Sequence, residues 1–318
     1  MKIKIVFCIL VIAFTTAAAQ QAPSNQQAQP SGTNRQNPER PREYPPNDRI
    51  GIDIDRFVGH PSAAVTRVSH EVILTQSILR AGDPHNSGEP GAVLEYRKDF
   101  AVGTLLPNNA TPQVKLPLQQ IFYIQTGQGR LDDGSQYWDL REGIAVLIPQ
   151  NVPHRITNTG DEPLSMLMLS WENPAGVTPR KGILVRDVRV LPFAEQNAHW
   201  NYMAKNLFHP SDGLHQNEKV LVVYVPPVAM GGPHAHPPHW EEVWTNLGPE
   251  SAFLMLGSEL REMPVNTGFI APPNGQTVHS VLNTSRNKVQ AFFYFARYTT
   301  PAPDDFGDAG TVPGKPLR

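Results

Sequence analysis

The sequence predicts an all-β protein built from two similar halves. Short apolar segments rich in β-branched and aromatic residues recur between turn residues, which is typical of a β-sandwich or β-barrel. The 32 prolines among 318 residues also favour short strands over long helices, and residues 198–207 are the best helical candidate. The clearest strand-like segments are AVLEY, IFYIQ, AVLIP, LSMLML, VLVVYV, AFLML and QAFFYFARY.

Matching positions in the same order indicate that one half repeats the other. In the first half Gln120 is followed by six residues and Gly127, and in the second half Glu241 is followed by six residues and Gly248. Each half continues with Leu-Arg-Glu, a proline, a histidine and an asparagine. These residues are Leu140, Arg141, Glu142, Pro149, His154 and Asn158, and then Leu260, Arg261, Glu262, Pro273, His279 and Asn283. The set predicts a duplicated β domain.

The first residues predict export. Lys2 and Lys4 precede an apolar run, and small residues end at Ala19, so residues 1–19 have the pattern of a secretory signal peptide. An uncleaved membrane anchor is the alternative, although the apolar run is short for a membrane span. After cleavage no membrane association is expected, and the mature chain is predicted to be periplasmic or secreted.

The rest of the chain divides by composition. A stretch rich in Gln, Pro, Asn and Ser follows the signal peptide, and it has too few apolar side chains to offset its ordering entropy. The two repeated halves come next, and the end of the chain is rich in Pro, Gly and Asp. The expected segments are a disordered spacer at 20–48, an N-terminal barrel at 49–175, a C-terminal barrel at 176–300 and an irregular tail at 301–318.

The net charge and the cysteine content limit the expected partners and the possible metal ligands. The formal net charge of −2 gives no electrostatic reason to expect nucleic acid or an anionic membrane as a partner. Cys8 is the only cysteine and lies within the predicted signal peptide. The mature chain would therefore have no disulfide and no thiolate ligand, so any metal must be held by His, Glu or Asp.

The stretch GGPHAHPPHWEEVWTNLG predicts a metal site. His234 and His236 are two residues apart, so their side chains share a face on an extended strand. Glu241 begins the next strand-like run, and a hairpin would bring His279 beside the group. Three imidazoles and one carboxylate suit a divalent first-row metal and leave positions for water or substrate.

These residues resemble the two sequence motifs of the cupin family. The first motif is a His-x-His pair, then a glutamate and a glycine, and the second places proline and glycine ahead of a histidine and an asparagine. The matches are His234, His236, Glu241 and Gly248, and then Pro273, Gly275, His279 and Asn283. This sequence departs from the family in a displaced glycine ahead of the first histidine and in one extra residue before His279.

The resemblance covers residues 68–296 and is weaker in the first copy. It implies two tandem cupin barrels, also described as double-stranded β-helices or jelly rolls. It also implies one divalent transition metal held by His234, His236, Glu241 and His279, with Fe, Mn, Ni, Cu and Zn not distinguished. In the first copy the repeat places Gln113, Lys115, Gln120 and His154 at the same positions, which is a degenerate site because a charged ammonium has no lone pair to donate.

Other residues near the motif have alternative interpretations. His239 is a candidate acid–base group, a substitute ligand or a solvated loop residue. Glu242 is expected to point away from the site, and a one-residue slip would exchange it with Glu241. Trp240, Trp244 and Met255 are candidates for a substrate pocket, although such residues are more often plain core. His70 and His199 occupy similar places in the two halves.

The resemblance implies a function only at the level of class. The first hypothesis is an exported metal-dependent enzyme that acts on a small organic substrate, as a dioxygenase or by lyase, isomerase or decarboxylase chemistry. The alternative is a non-catalytic binding protein for a sugar or small acid. A homodimer paired through sheet edges is a further expectation of the resemblance, and the residues alone do not identify the substrate or the reaction.

Overall fold

The computed structural model describes residues 53–86, 88–194, 202–302 and 308–317. The predicted signal peptide and spacer, and His199, lie outside these ranges. Within them the chain is almost entirely β-structure, which confirms the all-β prediction, and short 3₁₀ helices occur at Ile54–Phe57, Pro61–Ala63 and Pro210–Asp212. None of the helices in the described ranges is long and apolar enough to cross a membrane.

The strands fall into two groups along the chain. The N-terminal group is β1 Val58–Gly59, β2 Arg67–Ser69, β3 Ile73–Ala81, β4 Ala92–Leu94, β5 Asp99–Leu105, β6 Gln119–Thr126, β7 Gln128–Asp132, β8 Gln136–Arg141, β9 Ile144–Ile148, β10 Arg155–Asn158, β11 Leu164–Trp171 and β12 Leu184–Asp187. The C-terminal group is β13 Met203–Phe208, β14 Glu218–Val225, β15 Ala229–Met230, β16 Glu241–Asn246, β17 Ala252–Leu256, β18 Glu259–Met263, β19 Gly268–Ile270, β20 His279–Asn283, β21 Gln290–Arg297 and β22 Lys315–Pro316.

Each half contains an inner and an outer sheet. The N-terminal inner sheet has the order β12-β9-β6-β11-β5-β3-β2, with β4 parallel beside β3, and its outer sheet has the order β10-β7-β8-β22. The C-terminal inner sheet has the order β1-β19-β16-β21-β14-β13, and its outer sheet has the order β15-β20-β17-β18. Apart from the parallel pair β3 and β4, the paired strands of the described residues run antiparallel. Antiparallel strands joined by hairpins are typical of a β-sandwich.

The two inner sheets pack against each other. Phe100 of the N-terminal inner sheet stacks on Phe293 at 5.9 Å and meets the edge of Phe295 at 5.0 Å between ring centroids. Tyr123 contacts Phe293 as well, at 5.6 Å. Strands at the centre of an inner sheet are therefore buried on both faces, and every residue of β16 is buried. A strand buried on both faces lacks the alternation of polar and apolar residues that is typical of a strand with one solvent-exposed face.

Strand pairing crosses the expected boundary at residues 175 and 176. β12 follows that boundary in sequence but pairs with β9 of the N-terminal inner sheet. β1 pairs with β19 of the C-terminal inner sheet, and β22, within the expected irregular tail, pairs with β8 of the N-terminal outer sheet. The two halves thus exchange edge strands, which covers sheet edges that would otherwise expose unpaired backbone groups.

The candidate helix at residues 198–207 is wrong where the structure describes it. Residues 203–208 form β13, which pairs with β14 from Met203 opposite Tyr224 to Phe208 opposite Val220. Ala204, Leu207 and Phe208 are buried in the core. The hydrogen bonds and burial gained by joining the sheet override a weak local preference for helix.

A buried ion cluster lies between the two halves. Arg97, between β4 and β5, places its guanidinium 3.0 Å from Glu218 and 3.8 Å from Glu241, and all three side chains are fully buried. The same guanidinium lies 4.6 Å above the ring of Trp171. The backbone N–H of Tyr96 donates to Glu241 at 2.8 Å. Arg97 of the N-terminal half therefore faces two carboxylates, at the starts of β14 and β16, and Arg297 is a second partner of Glu218 at 3.8 Å.

Replacing Arg97 by alanine should destabilise the fold strongly. The change leaves Glu218 and Glu241 buried without their shared cation, and breaking a buried pair in this way costs about 3–5 kcal/mol. Urea denaturation of Arg97→Ala and Arg80→Ala measures the difference. Arg80 pairs with Glu89 at an exposed site, where the loss should stay below about 1 kcal/mol. Equal losses in the two variants would contradict the assignment.

Candidate metal centre

The candidate centre lies inside the C-terminal half, between its inner and outer sheets. His234 and His236 come from the segment between β15 and β16, Glu242 is the second residue of β16, and His279 is the first residue of β20. One ligand atom from each of these residues lies within 4.8 Å of all the others. His236, Glu242 and His279 are buried, and His234 is partly exposed, so the centre opens on the His234 side.

The backbone beside β20 places the histidine pair. The N–H of His234 donates to the carbonyl of His279 at 3.3 Å, and the N–H of His279 donates back at 2.9 Å. The N–H of Gly275 donates to the carbonyl of His236 at 2.7 Å. This extended pairing puts alternate residues on one face, and the imidazole centroids of His234 and His236 lie 4.5 and 4.9 Å from that of His279. The predicted convergence of these three histidines is what the structure contains.

Neighbouring side chains contact both carboxylate oxygens of Glu242. Its Oε2 lies 2.9 Å from Nε2 of His236, and its Oε1 lies 2.9 Å from Nε2 of His279. The indole N–H of Trp244 donates to Oε1 at 2.7 Å, and the hydroxyl of Tyr294 donates to Oε2 at 2.8 Å. Burial raises the pKa of Glu242, but His236 and His279 outweigh burial and hold the pKa well below its usual range. The carboxylate is therefore ionised.

The surroundings of the histidines leave ring nitrogens that can donate a lone pair to a metal ion. Nδ1 of His234 lies 2.8 Å from the carbonyl of Gly232, and a carbonyl only accepts, so this nitrogen carries the proton. In neutral His234 the lone pair is then on Nε2, the arrangement that a carbonyl partner gives to metal-bound histidines. Burial lowers the pKa of His279, which favours its neutral form. Nδ1 of His279 is buried and has no hydrogen-bond partner among the described residues.

The donor set fits a divalent first-row transition metal. Imidazole and carboxylate suit Fe, Mn, Ni, Cu and Zn. Nε2 of His236, which faces Glu242, and Nδ1 of His279 are buried without a hydrogen-bond partner among the described residues, so protein hydrogen bonds alone do not satisfy these nitrogens. A metal ion held by these four residues would keep further coordination positions for water or substrate. The residues present are thus compatible with the metal that the sequence predicted, with one change among the ligands.

The change concerns the glutamate, where the structure corrects the sequence prediction. Glu241 points to the face of β16 between the two halves, where it meets Arg97, and Glu242 points into the C-terminal barrel. Burial raises the pKa of Glu241, while Arg97 acts in the opposite direction. The one-residue slip left open by the sequence is therefore the arrangement in the structure.

The glycine spacing indicated the wrong glutamate because one of the two copies contains a β-bulge that the other lacks. In the N-terminal half Met166 pairs with Ile124 but Ser165 pairs with Thr126, so Gln125 is an extra residue in β6. β16 pairs with β21 without such a shift. The bulge adds one residue between the interior polar position and the glycine, so Gln120 corresponds in space to Glu242.

Of the four other candidate residues, two lie at the site and two lie outside it. Trp240 is partly buried, and its ring stacks on His236 at 4.5 Å with an interplanar angle of 25°. Trp244 is buried inside the barrel and holds Glu242. Met255 pairs with Ser280, on the strand face opposite to His279, and so lies outside the site. His239 is exposed and its Nδ1 contacts Glu95 at 3.1 Å, which excludes it from the four-ligand group.

In the N-terminal half, the structure corrects two of the four residues predicted for the degenerate site. Val114 forms the bridge to His154 that His234 forms to His279, so Val114 and Leu116 correspond to the histidine pair. Gln113 and Lys115 are exposed, because alternate residues of an extended segment point outward. Gln120 and His154 are buried as expected. His70, whose Nε2 lies 3.2 Å from Nε2 of His154, occupies the space beside them.

No sequence pattern identified the tyrosines around Glu242. Tyr294 contacts Tyr298 at 2.6 Å between hydroxyl oxygens, and Lys219 lies 5.0 Å from the ring centroid of Tyr298. Burial raises the pKa of Tyr294 and of Tyr298 well above their usual values, so both hydroxyls remain protonated. Tyr202 packs edge-on against Trp244 at 5.6 Å. Only the register of β21 against β16 identifies these contacts.

Comparisons with known proteins agree with this architecture. Residues 103–170 match the family model described as Cupin domain. MJ1618, an uncharacterized protein of Methanocaldococcus jannaschii, is 32% identical over 53 residues, which are 17% of this chain and 42% of that protein. The chain therefore matches less than half the length of that relative.

Solved structures are similar over most of the chain. AerE from Microcystis aeruginosa superimposes with a TM-score of 0.56 at 13% identity, covering 76% of this chain and 99% of that chain. A variant of oxalate decarboxylase from Bacillus subtilis gives 0.57 at 13% identity, covering 81% of each chain. Vicilin from Corylus avellana gives 0.55 at 12% identity, covering 76% of this chain and 85% of that chain. At these identities the likeness is one of fold.

The buried histidines of the N-terminal half predict a pH effect. Burial, and then His154, lowers the pKa of His70 to about 4 from its usual value of 6.5. As pH falls through this window, the unfolded chain takes up a proton that the folded chain does not, so stability present above pH 6.5 declines by about 3 kcal/mol. His70→Gln should lose correspondingly less stability between pH 7 and about 4.

Urea denaturation at both pH values measures this effect. Phe122→Leu is the matched control, because Phe122 contacts His70 at 5.7 Å but has no ionisable group. It should lower stability by the same amount at both pH values. If His70→Gln retains the full pH dependence of the original chain, His70 is not responsible.

Proposed function

We propose that this chain is a two-barrel cupin and a metal-dependent enzyme acting on a small organic substrate, a proposal supported by its fold and by the match of residues 103–170 to the cupin domain. The observation that carries the proposal is the convergence of His234, His236, His279 and Glu242 inside the C-terminal barrel. The reaction is dioxygenation, or lyase, isomerase or decarboxylase chemistry. Val114 and Leu116 replace the histidine pair in the N-terminal barrel, which supports a single barrel site per chain.

One ion held by these four residues would supply Lewis acidity or a centre for O₂ chemistry. The surrounding residues support this role by orienting the ligands. Trp244 and Tyr294 each donate to one oxygen of Glu242, which fixes the carboxylate plane. The carbonyl of Gly232 fixes the tautomer of His234. Partners of this kind typically contribute about 10–100-fold to metal affinity or activity.

The walls of the site favour a small substrate that enters from the His234 side. Aromatic rings cover most of the centre, with Trp240 stacked on His236 and Tyr202 packed beside Trp244. Substrate oxygen atoms would reach the remaining coordination positions. Oxalate, named for the structurally similar decarboxylase of Bacillus subtilis, is therefore a reasonable first test compound. Export to the periplasm or beyond remains a proposal that rests on residues 1–19.

Neighbouring glutamates provide the sharpest test of the metal centre. Glu242→Gln should remove one equivalent of transition metal per chain, because an amide replaces the ionised carboxylate that faces the histidines. Glu241→Gln should retain that equivalent, since Glu241 faces Arg97. Elemental analysis of folded protein collected by size-exclusion chromatography measures both. Loss of the metal in Glu241→Gln but not in Glu242→Gln would reverse the assignment.

Turnover separates the enzyme from the binding protein. We expect metal-dependent consumption of O₂, release of CO₂ or product formation with a compound among oxalate, keto acids, catechols, flavonoids and uronic acids. Activity should disappear on chelation and return when the metal is restored. His236→Ala should be inactive, whereas Met255→Leu, on the outer strand face, should retain activity. Saturable binding of one of these compounds without product would favour a non-catalytic binding protein.

A further inference from the structure

A second cluster of metal-ligating side chains lies outside the C-terminal barrel. His85, Glu95 and His239 each contribute one ligand atom, and these atoms lie within 4.8 Å of one another. Nδ1 of His239 is 3.1 Å from Oε1 of Glu95, and the rings of His85 and His239 meet edge-on at 5.8 Å between centroids. All three residues are exposed. The proposed barrel centre uses none of them.

Hydrogen bonds fix the backbone that carries this cluster. The hydroxyl of Tyr96 donates to the carbonyl of His239 at 3.2 Å. The N–H of Tyr96 donates to Glu241 at 2.8 Å, which ties the residue after Glu95 to the start of β16. On the third segment, the N–H of His85 donates to Asp83 at 2.8 Å. The N–H of Gly82 donates to the carbonyl of Leu94 at 2.9 Å, which ties this third segment to the one that carries Glu95. Hydrogen bonds therefore join the three parts of the chain that carry the cluster.

We propose that His85, Glu95 and His239 form a second binding site for a divalent first-row transition metal. Two imidazoles and one carboxylate suit Zn²⁺, Ni²⁺ or Cu²⁺ better than Mg²⁺ or Ca²⁺, which prefer oxygen ligands. The exposure of the cluster leaves the other coordination positions to water. The site binds more weakly than the barrel centre, because it has one ligand fewer and its side chains are free to move in solvent.

The position of this site connects it to the barrel centre through one short segment. Residues 237–241 run from the histidine pair to β16, and they include His239 at the outer site and Trp240 stacked on His236. A metal bound by His239 would restrain this segment from the outside.

Metal titration of the untagged, chelator-treated full chain tests the proposal. Equilibrium dialysis against Zn²⁺ should give two ions per chain of unequal affinity. His85→Ala together with His239→Ala should remove the weaker ion and leave the tighter one. His236→Ala together with Glu242→Gln should do the reverse. Each single change at the outer site should raise its Kd by about 10-fold or more, and Mg²⁺ should not compete.

His60→Ala is the matched control, because His60 is a histidine of the N-terminal segment outside both groups. It should keep both ions, and thermal unfolding of every variant checks that the fold is retained. If the weaker ion persists in the His85 and His239 double variant, or if the original chain binds a single ion that this double variant retains, the outer site is excluded. Loss of the tighter ion in that variant would also overturn the proposal. None of these results depends on finding a substrate, so the outer site and the proposed enzyme activity fail separately.

Discussion

The structure depends on the burial of two adjacent carboxylates on opposite faces of β16. Glu241 and Glu242 are 0% and 1% exposed, and a strand necessarily directs neighbouring side chains to opposite sides. An unpaired buried charge is too costly to persist, so each face has to supply compensation. Arg97 does so on the side between the halves, and the histidines of the barrel do so on the other. The interface between the halves and the candidate centre are thus fixed by the same strand.

This constraint explains why the two halves behave as one body around the centre. The inner sheets bury aromatic side chains against each other, and Arg97 reaches across this interface to the starts of β14 and β16. The segment at Tyr96 is bound to the same carboxylate. A disturbance of the interface therefore moves the beginning of β16, where Glu242 faces His236 and His279. The N-terminal half supports the centre although it supplies none of its four ligands.

Much of the fold was predictable from local pattern. The short β-branched segments predicted the strands, and the repeated order of residues predicted two barrels. His234 and His236 were predictable because their spacing needs only the two-residue period of an extended chain, and His279 was predictable from its place in the repeat. The glutamate was not, because β16 is buried on both faces and its composition does not distinguish them. Glycine spacing gave the wrong residue because the bulge at Gln125 lengthens one copy only.

The two copies show how the same barrel interior can be made stable with or without a net charge. In the N-terminal half, the carbonyl of Val152 accepts from Nδ1 of His154, whose Nε2 can then accept from His70. Burial lowers the pKa of both histidines, which favours their neutral forms, so this interior carries no net charge. In the C-terminal half an ionised Glu242 lies beside a neutral His279 whose Nδ1 has no hydrogen-bond partner among the described residues. Such an interior favours a cation, and a metal ion held by the four residues would supply one.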